Sequence, residues 1–241
     1  MVAKASWAEG CLNHFQLVRA RQSKRRKTTV EKHMSTKQQT TTVAIKPANI
    51  QHAVFTIEGT APYVQARFSA KAMQAMKTKH EAGSAGKKNN AKAARDFDDD
   101  YQQAFHRSTE GWDGMPASAF RCAMISACRL VGFKMTIAKL SVFVEADGFD
   151  RVDGIPLIKF TGTPERTEMF VRNQTGVADI RVRPMWREWS AQVRLSYDAD
   201  QFTLSDVSNL LTRVGLQVGI GEGRPDSKSS AGLGWGTFRI V

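Results

Sequence analysis

Six glycines fall in eighteen residues near the C-terminus of the 241-residue chain, spaced mostly by two. They lie in Val218-Gly219-Ile220-Gly221-Glu222-Gly223-Arg224-Pro225 and in Ala231-Gly232-Leu233-Gly234-Trp235-Gly236-Thr237-Phe238. Glycine reaches positive φ without a Cβ clash and lets main-chain N–H groups approach a ligand, so the stretch must turn, and it can cradle an anion such as phosphate. It lacks Gly-Lys-Ser/Thr, which excludes a Walker phosphate loop. It also follows a helix and leads into a strand, the reverse of the order a dinucleotide fingerprint needs. The alternative is a wide hairpin whose sharp turns require glycine.

The flanking elements are read from periodicity. Thr203 with Asp206 three residues on imitates a capping box, and Val207, Leu210, Leu211 and Val214 form a helical stripe expected to end at Gly215. A strand is expected over Leu216–Ile220 and another over Thr237–Val241. Upstream, Pro116 suits a first helical turn, and Phe120, Ala123, Met124, Ala127 and Val131 repeat at helical spacing up to Gly132. Strands are expected over Ala53–Glu58, over 134–145 and 155–160, over Ala178–Arg183 with its polar face of Arg181 and Arg183, and over Trp189–Tyr197. Residues 70–110 are an excursion rich in Ala, Lys, Gln and Asp around a Gly83–Asn90 break. Within it, Asp96, Asp98, Asp99 and Asp100 are expected to cap and solvate a helix carrying Phe97, Tyr101 and Phe105.

This order gives an α+β fold: a ferredoxin-like (RRM-like) βαββαβ core with a long insertion after the first strand and a glycine-rich C-terminal loop. Residues 51–241 form one domain. Residues 1–50 are expected to be a basic disordered tail, since ten Lys or Arg against two Glu place a net +8 of the chain's formal +12 there. Met34 opens a Ser/Thr/Gln stretch, so residues 1–33 also read as an upstream extension of the reading frame. A sequence pI near 9.9 suits a polyanionic partner. Cys11, Cys122 and Cys128 include no C-x-x-C pair, so neither a disulfide framework nor a zinc site is suggested, and no cofactor or metal is expected. No apolar run is long enough for a membrane span, which gives an expectation of a cytoplasmic protein in a bacterial or phage-infected cell without a membrane partner.

The segment Gly114-Met115-Pro116-Ala117-Ser118-Ala119-Phe120-Arg121-Cys122-Ala123-Met124-Ile125-Ser126-Ala127 resembles the helix start of the RAMP superfamily, the CRISPR-associated RNA-binding proteins. The glycine-rich ending resembles that superfamily's C-terminal loop. Ala117 and Cys122 stand where the family has glycine and Arg121 where it has lysine, which places the chain in a divergent branch. The ending is also similar to that of bacteriophage-encoded proteins, consistent with a mobile-element origin. The resemblance covers about residues 51–241. It implies a core that grips single-stranded RNA or DNA, RNA favoured, through the phosphate backbone, as a homo-oligomer or ribonucleoprotein subunit lined up along the strand. Residues that fit this are Arg67, Ser118, Arg121, Arg181, Arg183, Gly221, Arg224, Gly232 and Gly234 for phosphates, with Trp235 and Trp112 for stacking. Trp186 and Trp189 are read as core or subunit contacts.

Two other classes stand beside this. RAMP endoribonucleases use a histidine base or an aspartate in the excursion, so the candidates for a metal-independent or Asp-dependent endoribonuclease are His52, His80, His106 and Asp96, none with a partner evident in sequence. A structural coat or filament protein would condense nucleic acid through the basic tail alone.

Overall fold

The computed structural model describes residues 45–81, 83, 94–172, 176–227 and 232–241. The chain divides into two units, Met1–Pro47 and Ala48–Val241. Of the first, only residues 45–47 are described, as exposed chain without regular structure. The basic run Lys24–Lys27, Met34 and most of the Gly83–Asn90 break therefore lie outside the described residues.

The second unit is mixed α+β with antiparallel sheets and, among the described residues, five α-helices. In chain order these are β1 (Ile50–Gly59), β2 (Tyr63–Val64), α1 (Ala70–Glu81), α2 (Phe97–Gln103), β3 (Gly114–Pro116) and α3 (Ala117–Ala127), the last continued by a 3₁₀ turn to Val131. Then come α4 (Met135–Ser141), β4 (Val142–Val144), β5 (Gly148–Phe149), β6 (Pro156–Thr161), β7 (Pro164–Arg172), β8 (Ala178–Trp186), β9 (Ser190–Asp198), α5 (Leu204–Arg213), a π turn over Val214–Val218, and β10 (Phe238–Ile240).

β1 pairs with β9 along its length, from Ile50 opposite Asp198 to Glu58 opposite Ser190. β10 lies on the free side of β1, while β4 and β6 share the far side of β9. The path β10-β1-β9-β4 is antiparallel throughout, with α3 in the connection from β1 to β4 and α5 in the connection from β9 to β10. A second sheet runs β2-β8-β7, in which β7 and β8 form a long hairpin.

α3 and α5 form because their apolar residues recur at helical spacing and find a sheet to cover. α3 buries Phe120, Ala123, Met124 and Ala127; α5 buries Val207, Leu210 and Leu211. Both stripes join Ile57, Val193, Leu195 and Phe238 in one core, each large side chain contributing about 1.5–3 kcal/mol. The Thr203–Asp206 capping box is present, and Gly132 ends the first helical stretch at φ 68°. Asp96 caps α2, accepting from the N–H groups of Asp98 and Asp99. Trp186 and Trp189 are core residues.

Two elements differ from expectation. Residues 135–141 are helical and only Val142–Val144 is strand, because Ala138 and Ser141, three apart, are the positions this segment buries. Of the strand expected over Leu216–Ile220, residues up to Val218 are instead the end of a helical stretch and the last two are loop. Gly215 does not terminate α5, since it has no positive φ; a Cβ there would meet Phe238 Cδ2 at 2.9 Å, so this glycine allows β10 to pass close by. Among the described residues, no helix is long and apolar enough to cross a membrane.

Candidate functional site

The glycine segment folds back on itself as two arms. Ile220 N–H donates to Gly236 O (3.0 Å), and the N–H groups of Leu233 and Trp235 both donate to Gly223 O (2.7 and 3.2 Å). The arms are tied to β2 and the residue pair before it, with Glu222 N–H on Val64 O (2.9 Å) and Gly236 N–H on Pro62 O (2.7 Å). Gly221, at φ 80°, comes so near that a Cβ would lie 2.6 Å from Val64 O. The expected main-chain phosphate cradle is thus largely taken up internally: with Gly219 N–H on Val214 O, six of the loop's N–H groups are spent on protein carbonyls, and positive charge at its rim has to come from side chains.

It comes from two places. Arg224 follows the first arm and donates to Gly221 O at 3.1 Å. Arg181 and Arg183 project from the same face of β8 and both reach Glu222, through Nη1 to Oε1 at 2.7 Å and Nε to Oε2 at 2.9 Å. One carboxylate shared by two guanidiniums leaves this cluster with excess positive charge. Trp235 lies over Gly223, where a Cβ would meet its ring at 2.7 Å. The loop is fastened to the end of α3 by Asp226, which accepts from Ser126 and from Arg129 (2.7 Å); these bonds hold its carboxyl below the usual range.

Beside the loop runs a groove of about 350 Å³, lined by Tyr63, Gln65, His106, Pro116, Ala119 and Arg224 among others. Burial pushes the Tyr63 hydroxyl well up, only partly offset by Gln65. Gln65 is itself buried and satisfied on every side: its amide donates to Tyr63 Oη (3.1 Å) and Gly114 O (2.7 Å), and its oxygen accepts His106 N–H (2.8 Å).

His106 is 7% exposed, and its Nδ1 lies 2.8 Å from Asp150 Oδ2. Burial pushes the Asp150 carboxyl up, but the Val152 N–H, the His106 hydrogen bond and the charge of Arg67 outweigh it and hold the group below the ordinary carboxylate range. An ionised carboxylate can only accept, so Nδ1 is the donor in this contact, and Nε2 has no hydrogen-bond partner among the described residues. His106, without a partner evident in sequence, therefore has one. Asp150 and Gln65 were not foreseen, since each meets His106 only across 41 or more positions. His106, Asp150 and Asp153 bring ligand atoms within 4.8 Å of one another, the donor set of a divalent cation, but Arg67 Nε stands 3.9 and 3.5 Å from the two carboxylates and already supplies positive charge.

The remaining expected residues fall elsewhere. Arg67 is buried beside Asp150 and does not line the groove. Arg121 donates through Nε to Val142 O (3.2 Å) and Nη2 to Lys139 O (2.5 Å) and lies over the Phe143 ring, so it joins α3 to α4 and β4. Ser118 and Gly234 are exposed, and Gly232 is half-buried. His52 is exposed and bonded to Glu145 at 2.7 Å, and Asp96 is spent on its helix cap. Trp112 donates to Glu110 and lines a different groove, with Lys159 and Gln192. The groove thus gathers Gly221, Arg224 and His106, with Arg181, Arg183 and Trp235 around the loop.

No protein-family model and no curated protein matches the chain.

Proposed function

We propose that this chain binds single-stranded nucleic acid, RNA in preference to DNA, by its phosphate backbone along the groove beside the glycine loop. The observation that carries this is the pairing of Arg181 and Arg183 on Glu222, a residue that lines the groove together with Arg224. Guanidinium forks suit phosphate oxygens, and the one carboxylate shared by Arg181 and Arg183 leaves that pair undercompensated. The order β10-β1-β9-β4, with α3 and α5 in its two crossovers, supports a ferredoxin-like core and, with it, a divergent branch of the RAMP superfamily. One groove of this size covers few nucleotides, so useful affinity accrues when copies line up on a strand.

Fluorescence anisotropy with a labelled single strand over a series of salt concentrations tests the reading. Each lost phosphate contact should reduce the slope of log K against log salt by about 0.7, so Arg183→Ala and Arg224→Ala should each show that reduction. Equal affinity for duplex and single strand, or unchanged slopes in both variants, would overturn it.

A second reading, metal-independent cleavage of RNA, is favoured by the His106–Asp150 pair at the groove. Nε2 would take the proton of a 2′-hydroxyl as its oxygen attacks the adjacent phosphorus. The 5′-oxygen then leaves, taking a proton from water, while His106 returns the abstracted proton to solvent, giving a 2′,3′-cyclic phosphate and a 5′-hydroxyl end. Cleavage that persists in chelator and is lost in His106→Ala, with strand binding retained, would establish it; no cleavage by the wild-type chain would dismiss it.

A further inference from the structure

Next to the His106–Asp150 pair, and lined by none of the residues that line the groove, is a cavity of about 110 Å³ between the end of α2 and the turn after β5. Its volume suits about three or four waters or one small oxyanion. Arg67, Arg107 and Arg151 line it, with Gln102 and the single carboxylate of Asp150.

Arg67 has a side chain 4% exposed, and its Nε and Nη2 are buried without a hydrogen-bond partner. Its Nη1 alone donates, to Gln103 O at 3.3 Å. The neighbouring carboxylates do not take the remaining protons. Asp150 Oδ1 accepts Val152 N–H and Oδ2 accepts from His106, both at 2.8 Å, while the Nε distances of 3.9 and 3.5 Å to Asp150 and Asp153 are ion pairs too long for hydrogen bonds. A buried guanidinium with two unpartnered nitrogens, carrying three N–H bonds, bears a desolvation cost that an acceptor in the cavity would remove. The other two arginines point to the acceptor's charge. Arg107 is held over Phe105 and against Asp113, and Arg151, exposed, makes no ion pair among the described residues.

We propose that this cavity binds one phosphate group, taken by the buried guanidinium of Arg67 and closed at the surface by Arg151. Free phosphate and the terminal phosphate of a nucleic acid strand both supply such a group; the recognising chemistry is the same. The site is separate from the groove and does not rest on the strand-binding reading.

The test uses the full chain. Inorganic phosphate should raise the melting temperature by several degrees where sodium chloride of equal ionic strength does not, and calorimetry should find one tight site per chain. Arg151→Glu, a surface change, should keep the fold and weaken that site about tenfold or more. Arg67→Met should abolish it; if that variant fails to fold, the Arg151→Glu result decides. A 5′-phosphorylated oligonucleotide that outcompetes its 5′-hydroxyl twin, with the advantage gone in Arg151→Glu, identifies the strand end as the source. Equal competition by the two, with phosphate still bound, identifies free phosphate. No phosphate-specific shift means water alone fills the cavity, and a shift that survives Arg151→Glu unchanged belongs to basic residues elsewhere; either result overturns the proposal.

Discussion

Nδ1 of His106 and Oδ2 of Asp150 meet at 2.8 Å although 44 positions separate them, and both groups are buried. The contact joins the segment after α2 to the turn after β5 and turns a lone histidine into an oriented one.

Because Asp150 is held below the ordinary carboxyl range, the fold favours its ionised form. That contribution is complete above the unfolded-state value, about pH 4, and is lost as the pH falls through the lower folded-state value. Urea midpoints should therefore be level from about pH 5 to 7 and decline below about pH 4. Glu145, Asp206 and Asp226 are lowered too, so the wild-type decline is shared. In Asp150→Asn the midpoint should be lower at neutral pH and the acid decline shallower; an unchanged profile would show that the pair is not formed.

Gln65→Leu removes the partner of Gly114 O, of His106 N–H and of the Tyr63 hydroxyl at once. With three buried groups left unpaired, a loss of about 3 kcal/mol or more is expected from denaturant unfolding.

Two glycines of the loop should separate cleanly. Gly234, at φ 77°, faces open space, so Gly234→Ala meets only the backbone penalty of about 1–2 kcal/mol. Gly236, at φ 67°, has the Ile220 main chain where a Cβ would go, and Gly236→Ala should cost more than about 3 kcal/mol or prevent folding. Equal stability of the two variants would mean the arms are not packed as described.

Arg121 distinguishes its observed contacts from the role the resemblance implies. Its bonds to Val142 O and Lys139 O predict that Arg121→Ala lowers stability by about 1–3 kcal/mol and leaves the salt slope of strand binding unchanged. A reduced slope with unchanged stability would return it to the phosphate contacts.

Thr203→Ala should cost about 1 kcal/mol, since it removes one half of the capping box that starts α5.

Thr203, Asp206 and the stripe Val207, Leu210 and Leu211 were legible in the sequence because a cap and an amphipathic face are set by residues three or four positions apart. The same holds for Phe120, Met124 and Ala127 in α3, for the alternation of Val193, Leu195 and Tyr197 in β9, and for the cap at Asp96. Residues 135–141 were not, because a short apolar run satisfies strand and helix alike until a neighbouring surface selects which positions are buried. Gly215 looked like a helix end; only the approach of Phe238 shows that it is a close-packing position. The site divides in the same way. Glycine spacing marked the loop, but whether its N–H groups were free depended on β2 and the preceding turn coming alongside to accept them. Arg183 with Glu222, and His106 with Asp150, are partners brought together by chain folding across 39 and 44 positions, and no local pattern encodes such a meeting. The sequence by itself determined which segments could be helix, strand or glycine turn, since those depend on near neighbours. The tertiary structure alone decided which arginines are occupied, which histidine is oriented and where a buried guanidinium lacks an acceptor, since these depend on pairing between distant segments.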